Sequence, residues 1–266
     1  MKIFIKMVYW ILDNGGNMIK IYNEDCMDTM RGIDSETIQL TMTSPPYFNL
    51  KSYADGFSKW DTYEKYIESN KEWFNELFRI TKKGGYIVWN IVENIPNPIK
   101  GERLDYPLLL DILNIGTKLG LVWETNVIWN KQNSNLYFGS YPKPGTPIFL
   151  HRNEHIIIFR KRGKYSGDKK ERSDFKLEKN RWFEIVRNVW DIAPASAKKR
   201  GHDAPFPHEI PRRFIEIMTV PSDIVFEPFA GSGTVLEVCK ELNRNCIGAE
   251  ISKKYCDMII DRIKDD

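Results

Sequence analysis

Histidine and cysteine are scarce in this 266-residue chain, with four of each. Cys26, Cys239, Cys246 and Cys256 lie far apart with no CxxC pair. That argues against a zinc site and a disulfide framework, and it suits a reducing, cytoplasmic setting. His151 and His155 have a tolerable ligand spacing, but no cysteine or carboxylate pattern surrounds them, so no metal is expected. No apolar run approaches the roughly 20 residues that a membrane span needs. Met1 to Leu12 is apolar, yet Lys6 interrupts it and the turn Asp13 to Asn17 follows where a signal would have a small-residue cleavage site. Residues 1–17 are therefore set apart as an extension without an assigned role. Internal repeats and low-complexity tracts are also missing.

What is present is a core. Hydrophobic residues make up 42% of the chain, with 14 Phe, 12 Tyr and 8 Trp, enough for one large domain or two small ones. Net charge is only +3, but it is unevenly spread. Arg160 to Arg187 carries eleven lysines and arginines against five acids, a local +6 that leaves −3 elsewhere. A basic block on a nearly neutral protein points to a polyanionic partner; the plainer reading is a solvated loop. Lys169, Lys170 and Arg172 are its candidate contacts, with Lys198, Lys199 and Arg200 just beyond it.

Hydrophobic patterning predicts strands at Ile19–Asn23, Ile38–Thr43, Tyr86–Val92, Val122–Trp129, His155–Phe159, Ile224–Glu227 and Cys246–Glu250. A short extended piece is expected at Asn188–Ile192. Helical spacing marks Thr62–Thr81, Leu104–Leu119, Glu209–Met218, Val235–Leu242 and Lys253–Ile263, with one helical turn at Met27–Met30. Lys82-Lys83-Gly84-Gly85 reads as a helix stop, with cations and then glycines at the negative end. Asn130–Arg152 reads as a loop. Strands alternating with helices predict an α/β fold, a mainly parallel sheet with helices on both faces.

Two stretches carry chemistry. The first is Ser44-Pro45-Pro46-Tyr47, directly after the strand that ends at Thr43. Two prolines forbid a helix, fix φ and remove two donors, leaving a stiff bend with open carbonyls beside an aromatic ring. Beyond the carboxyl end of a strand in an open sheet, such a bend suits a flat ligand carrying an amino group; alternatively it is an ordinary turn. The second stretch is Glu227-Pro228-Phe229-Ala230-Gly231-Ser232-Gly233-Thr234, a glycine loop between strand and helix, with the acid Glu250 ending the next strand. That arrangement holds a nucleotide-like ligand. No lysine follows Gly233, as a phosphate loop requires, and position 236 is Leu rather than the third glycine of a dinucleotide loop. Glu227 suits an ammonium group and Glu250 suits ribose hydroxyls. S-adenosyl-L-methionine carries both groups and no phosphate.

With these motifs in this order, the chain resembles the β group of amino-directed DNA methyltransferases, in which the catalytic motif precedes the cofactor motif. Phe226 to Thr234 resembles that family's cofactor loop, and Ser44-Pro45-Pro46-Tyr47 its catalytic motif. Ala204 to Pro211 is similar to the segment flanking the methionine end, implying Phe206 and Pro207 as cofactor contacts. Asn23-Glu24-Asp25-Cys26 is similar to the segment whose aspartate, here Asp25, binds the adenine amino group. Asn188-Val189-Trp190 is also typical. Thr43, heading the bend, is grouped with the cofactor residues. The resemblance implies a permuted, seven-stranded Rossmann-like methyltransferase sheet with one antiparallel strand, His155–Phe159, and with the Ile19 strand beside the Cys246 strand. It implies one catalytic domain over 18–266, with a target-recognition region inserted at about 131–201.

The implied activity is site-specific methylation of double-stranded DNA, with a cognate restriction endonuclease as a further possible partner. Serine at position 44 inclines the resemblance towards cytosine N4. Adenine N6, an RNA base, a protein glutamine amide and a non-catalytic nucleic-acid-binding module are the alternatives. In the chemistry implied, Ser44 Oγ and the Pro45 carbonyl accept the two N–H bonds of an exocyclic amine, and Tyr47 stacks on a flipped base.

Overall fold

The computed structural model describes residues 7–12, 16–48, 60–99, 102–131, 152–196 and 206–265. Strands β1 (Met7–Leu12), β2 (Met18–Asn23), β3 (Ile38–Thr43) and β4 (Thr81–Ile91) open the chain's sheet. They are joined by β7 (Val122–Asn130), β8 (Asn153–Arg160), β9 (Val189–Asp191), β10 (Ile224–Glu227) and β11 (Asn245–Ala249). A separate two-stranded ribbon pairs β5 (Ile95–Ile99) with β6 (Glu102–Tyr106).

The large sheet runs β1-β2-β11-β10-β3-β4-β8-β7-β9. Its inner seven strands, from β2 to β7, form the expected sheet, and β1 and β9 add an edge strand on each side. β8 is antiparallel to both of its neighbours, as expected of His155–Phe159. β2 lies parallel to β11 with Ile19 opposite Cys246, which is the predicted permutation.

Helices cover both faces: α1 (Cys26–Arg31), α2 (Tyr63–Ile80) and α3 (Leu108–Lys118) on one, α6 (Glu209–Met218), α7 (Thr234–Glu241) and α8 (Lys253–Asp265) on the other. Strand residues divide between the two layers with period two. Ile87, Trp89, Ile157, Phe159, Phe226 and Ile247 pack with α1 to α3; Val88, Ile156, Ile158, Val225 and Cys246 pack with α6 to α8. This two-sided burial is why those strands are continuously apolar.

The basic block holds two short helices, α4 (Lys169–Asp174) and α5 (Lys179–Ile185). Asp168 caps α4 by accepting from Glu171 N at 2.8 Å.

Two expected elements differ. The helix expected from Leu104 begins at Leu108, because Leu104 pairs with Asn97 in the ribbon and Pro107 holds Tyr106 extended. Lys82 to Gly85 opens β4 rather than ending a helix; α2 stops at Ile80 and the chain passes directly into the strand. The cation at the end of α2 is Lys161, whose ammonium donates at 2.8 Å to the carbonyls of Phe78 and Thr81. Most of the loop expected over Asn130–Arg152, His151 included, lies outside the described residues. None of the described helices is long and apolar enough to cross a membrane.

Candidate active site

Strands β2, β11, β10 and β3 are parallel neighbours, so their carboxyl ends open on one side of the sheet. A cavity of about 960 Å³ lies there, at the upper end of the range for small-molecule sites. Asp25, Ser44, Pro45, Pro46, Tyr47, Phe206, Glu227, Pro228, Phe229, Ala230, Gly231, Ser232, Thr234 and Glu250 line it. The two stretches singled out in the sequence, about 180 residues apart, thus face one space. Thr43 and Gly233 stand directly behind the wall and Pro207 is buried next to Phe206.

The glycine loop is shaped by its neighbours. Gly233 caps α7 at φ +83°, and a Cβ there would meet Ile259 Cγ1 at 2.7 Å. Gly231 donates its N–H to Glu250 Oε2 at 2.7 Å, and Ser252 N donates to Glu250 Oε1 at 2.8 Å. The carboxylate at the end of β11 therefore fixes the loop at the end of β10. Asp25 caps α1, accepting from Met27 N at 2.8 Å. Phe229 packs edge-on against Trp73 at 4.9 Å, and Trp73 lines the cavity with Trp60.

Glu227 is 4% exposed. It accepts from the Thr43 hydroxyl and, at 3.1 Å, from Phe229 N. Among the described residues no cation pairs with it. Burial pushes its carboxyl well above the ordinary glutamic value, and the nearby Glu250 adds to the rise. The Thr43 and Phe229 bonds oppose this without overcoming it. A buried acid facing a cavity and lacking a cation has the electrostatics of an ammonium site. The aromatic wall, the acid at Glu250 and this carboxylate together fit adenosine and amino-acid ends of one ligand.

Behind the Ser44–Tyr47 bend the structure adds residues that the motifs did not reveal: Asn90 at the end of β4, Glu154 at the start of β8 and Lys131 after β7. Asn90 Nδ2 stands 3.2 Å from both Ser44 Oγ and Tyr47 Oη and 2.5 Å from Glu154 Oε2. Lys131 pairs with Glu154 and sits 4.6 Å from the Trp129 ring centroid. One signal was available, since Asn90 is the sole polar residue in the apolar run Tyr86–Val92.

The basic block is not at this site. Glu171 of α4 accepts from both the N–H and the hydroxyl of Ser222, and Ser222 precedes β10. Lys169, Lys170 and Arg172 are thus exposed at the amino end of the sheet, opposite the cavity. Lys161 is buried under α2, Arg160 pairs with Glu124, and Arg181 is held by Glu184, Glu209 and Glu216. Lys198, Lys199 and Arg200 lie outside the described residues, as do Ala204 and Pro205.

Comparison with known proteins agrees with this geometry. M.SmaI of Serratia marcescens, a Type II methyltransferase, is 28% identical over 95% of this chain and 93% of its own length. M.BslI of Bacillus sp. strain NEB-606, a Type II beta methyltransferase, is 27% identical over 94% of this chain, which spans 28% of M.BslI. A DNA modification methylase from Thermus thermophilus, in its complex with S-adenosyl-L-methionine, superposes with a TM-score of 0.74 at 27% identity, covering 91% of this chain and 93% of that one. The DNA methylase family matches residues 38–261, which takes in both the Ser44 bend and the glycine loop. The chain belongs to the DNA methylase family.

Proposed function

We propose that this protein is an S-adenosyl-L-methionine-dependent DNA methyltransferase that modifies the exocyclic amine of a base flipped out of the duplex, with cytosine N4 as the target. The observation that carries this reading is the opening of the Ser44–Tyr47 bend and the Glu227–Thr234 loop onto one cavity. Glu227 faces the ammonium of the methionine end and Glu250 the ribose hydroxyls; Asp25 lies where the adenine amino group would be read. Phe206 and Pro207 flank the methionine end. When bound, the cofactor supplies an electrophilic methyl group on a sulfonium.

The chain's own groups do the positioning. An exocyclic amine is a weak nucleophile because its lone pair is delocalised into the ring. Ser44 Oγ and the Pro45 carbonyl accept its two N–H bonds, favour a pyramidal nitrogen and aim the lone pair. Pro46 stiffens the bend, and the Tyr47 ring meets the extruded base. The N–C bond forms as the S–C bond breaks with its electrons going to sulfur, and the methylated nitrogen then loses its proton to water. Double-stranded DNA is the partner, and a restriction endonuclease acting at the same site is a second one, in keeping with the Type II names of the relatives.

DNA sequencing with detection of modified bases, from a host expressing the chain, tests this reading. N4-methylcytosine at a fixed site is expected, and it should vanish with Ser44→Ala. N6-methyladenine would keep the methyltransferase and overturn the target atom. Unmodified DNA, together with no calorimetric binding of S-adenosyl-L-methionine, would overturn the whole reading.

A further inference from the structure

The polar groups behind the bend form a directed set. Tyr47 Oη lies 3.2 Å from Ser44 Oγ, and 3.3 Å from both Glu154 Oε2 and the Asn90 carbonyl. Glu154 is 8% exposed and ion-paired to Lys131, so it only accepts. We propose that Glu154 is a positioning residue: it sets the direction of the hydrogen bonds that end at Ser44, so that the serine oxygen meets the target amine as an acceptor. This rests on the reading that Ser44 accepts from that amine.

The direction follows from counting protons. Both acceptors near Tyr47, the Glu154 carboxylate and the Asn90 carbonyl, draw its single hydroxyl proton away from Ser44. Tyr47 therefore offers Ser44 a lone pair, and the Ser44 proton points back at Tyr47. Glu154 also orients Asn90. At 2.5 Å, turning the amide over would set Oδ1 against a carboxylate oxygen, so the NH₂ group must face Glu154. Its second hydrogen is then directed at the bend. Asn90 Oδ1 is left buried without a partner, in keeping with an orientation dictated from the other side of the amide. One Ser44 lone pair takes the Asn90 hydrogen and the other is open to the amine. An amide in place of Glu154 could donate to Tyr47. Tyr47 could then turn its proton to Ser44, and the Ser44 proton would be left facing an N–H.

The test is methyl transfer from radiolabelled S-adenosyl-L-methionine to unmethylated plasmid DNA, with enzyme in excess and cofactor saturating. Wild-type transfer checks the proposed function before any variant is compared; if it fails, function and inference fall together. Glu154→Gln is expected to slow transfer by about 10–100-fold, the scale for outer partners that orient a reacting group's neighbour. Cofactor affinity should be unchanged. Tyr47→Phe keeps the ring, removes the link and should slow transfer comparably. In a Ser44→Ala background, Glu154→Gln should change the rate less than about twofold, because both act at one oxygen. The double variant Glu154→Gln/Lys131→Met, which leaves no unpaired ammonium, should be as slow as Glu154→Gln. Wild-type rates in Glu154→Gln, a full further loss in the Ser44→Ala background, or recovery in the double variant would each overturn the inference.

Discussion

Asp223 and Glu227 bracket the same four-residue strand, β10, and both are buried, yet they are held differently. Asp223 closes its surroundings completely. It accepts from Tyr165 Oη at 2.7 Å, Val220 N at 3.1 Å and Lys82 Nζ at 3.1 Å. Glu227 has a hydroxyl and an amide but no cation among the described residues. The protein itself completes the set around the first acid, while the second awaits a ligand. The same contrast separates the two ends of the sheet. At the amino end, glycines and charges such as Gly84, Lys161 and Glu171 close the fold. At the carboxyl end, Ser44-Pro45 and Glu227-Pro228 end their strands at prolines and present acceptors to a cavity.

Variants at the two ends should therefore fail in different ways. The largest effect is expected at the carboxyl end. Ser44→Ala should slow single-turnover methyl transfer by roughly 10²–10³, the scale for one preorganised hydrogen-bonding group at a reacting centre. Its melting temperature and cofactor affinity should stay as in the wild type. Asp223→Ala should do the reverse: a denaturant melt should lose about 3 kcal/mol, since a buried pair is broken and Val220 N is left without its acceptor, while cofactor affinity is retained. An Asp223→Ala protein that melts normally but fails to bind cofactor would break the comparison.

Next in size is Glu250→Ala, expected to weaken S-adenosyl-L-methionine binding by roughly 1–3 kcal/mol through lost charge-assisted hydrogen bonds. Calorimetry measures it, and an unchanged affinity would remove the ribose assignment. Glu227→Gln gives a subtler signature. The folded-state carboxyl titrates well above its ordinary value of 4.5 because it is buried. Cofactor-free stability should therefore fall as pH rises from that value through the raised one, and the glutamine variant should lack this fall. A bound ammonium favours the carboxylate, so wild-type cofactor affinity should rise with pH between the bound and free titrations of Glu227. Affinity in Glu227→Gln should be lower and flat over that window. A rise that persists without Glu227 would place the ammonium elsewhere.

Local pattern was enough for the elements that hold both motifs. β3, α6 and β10 begin and end where periodicity and turn residues place them, because their partners on both faces demand apolar side chains at every strand position. The ribbon of β5 and β6 was hidden, since Leu104 to Leu119 has helical spacing throughout and only the pairing of Leu104 with Asn97 makes its start extended. Glu154, Asn90 and Lys131 were hidden for another reason. They meet Ser44 and Tyr47 from three strand ends, and no spacing along the chain encodes that meeting. Charge density was the least informative signal. The basic block is prominent in sequence, yet Lys161 and Arg181 within it are taken up by a helix end and by three acids.

The smallest expected effect concerns what remains of that block. Arg172 lies 5.0 Å from the Tyr165 ring, and Tyr165 is tied to Asp223, so α4 is anchored at the amino end of β10. A duplex delivering a base to Ser44 approaches from the other end. Each phosphate contact adds about 0.9 to the slope of log K against log salt. Neutralising Lys169, Lys170 and Arg172 together should therefore change that slope by less than about 0.9. Lys198, Lys199 and Arg200 provide the matched comparison. They fall in sequence between Ala195 and Phe206, both on the cavity wall. Neutralising those three should flatten the slope by up to about 2.7, one step of 0.9 for each contact. Filter binding or fluorescence anisotropy over a salt series measures both variants. A flattening by the α4 variant as large as that of the second triplet would mean that DNA reaches both ends of the sheet, and the division between a closing end and a binding end would not hold.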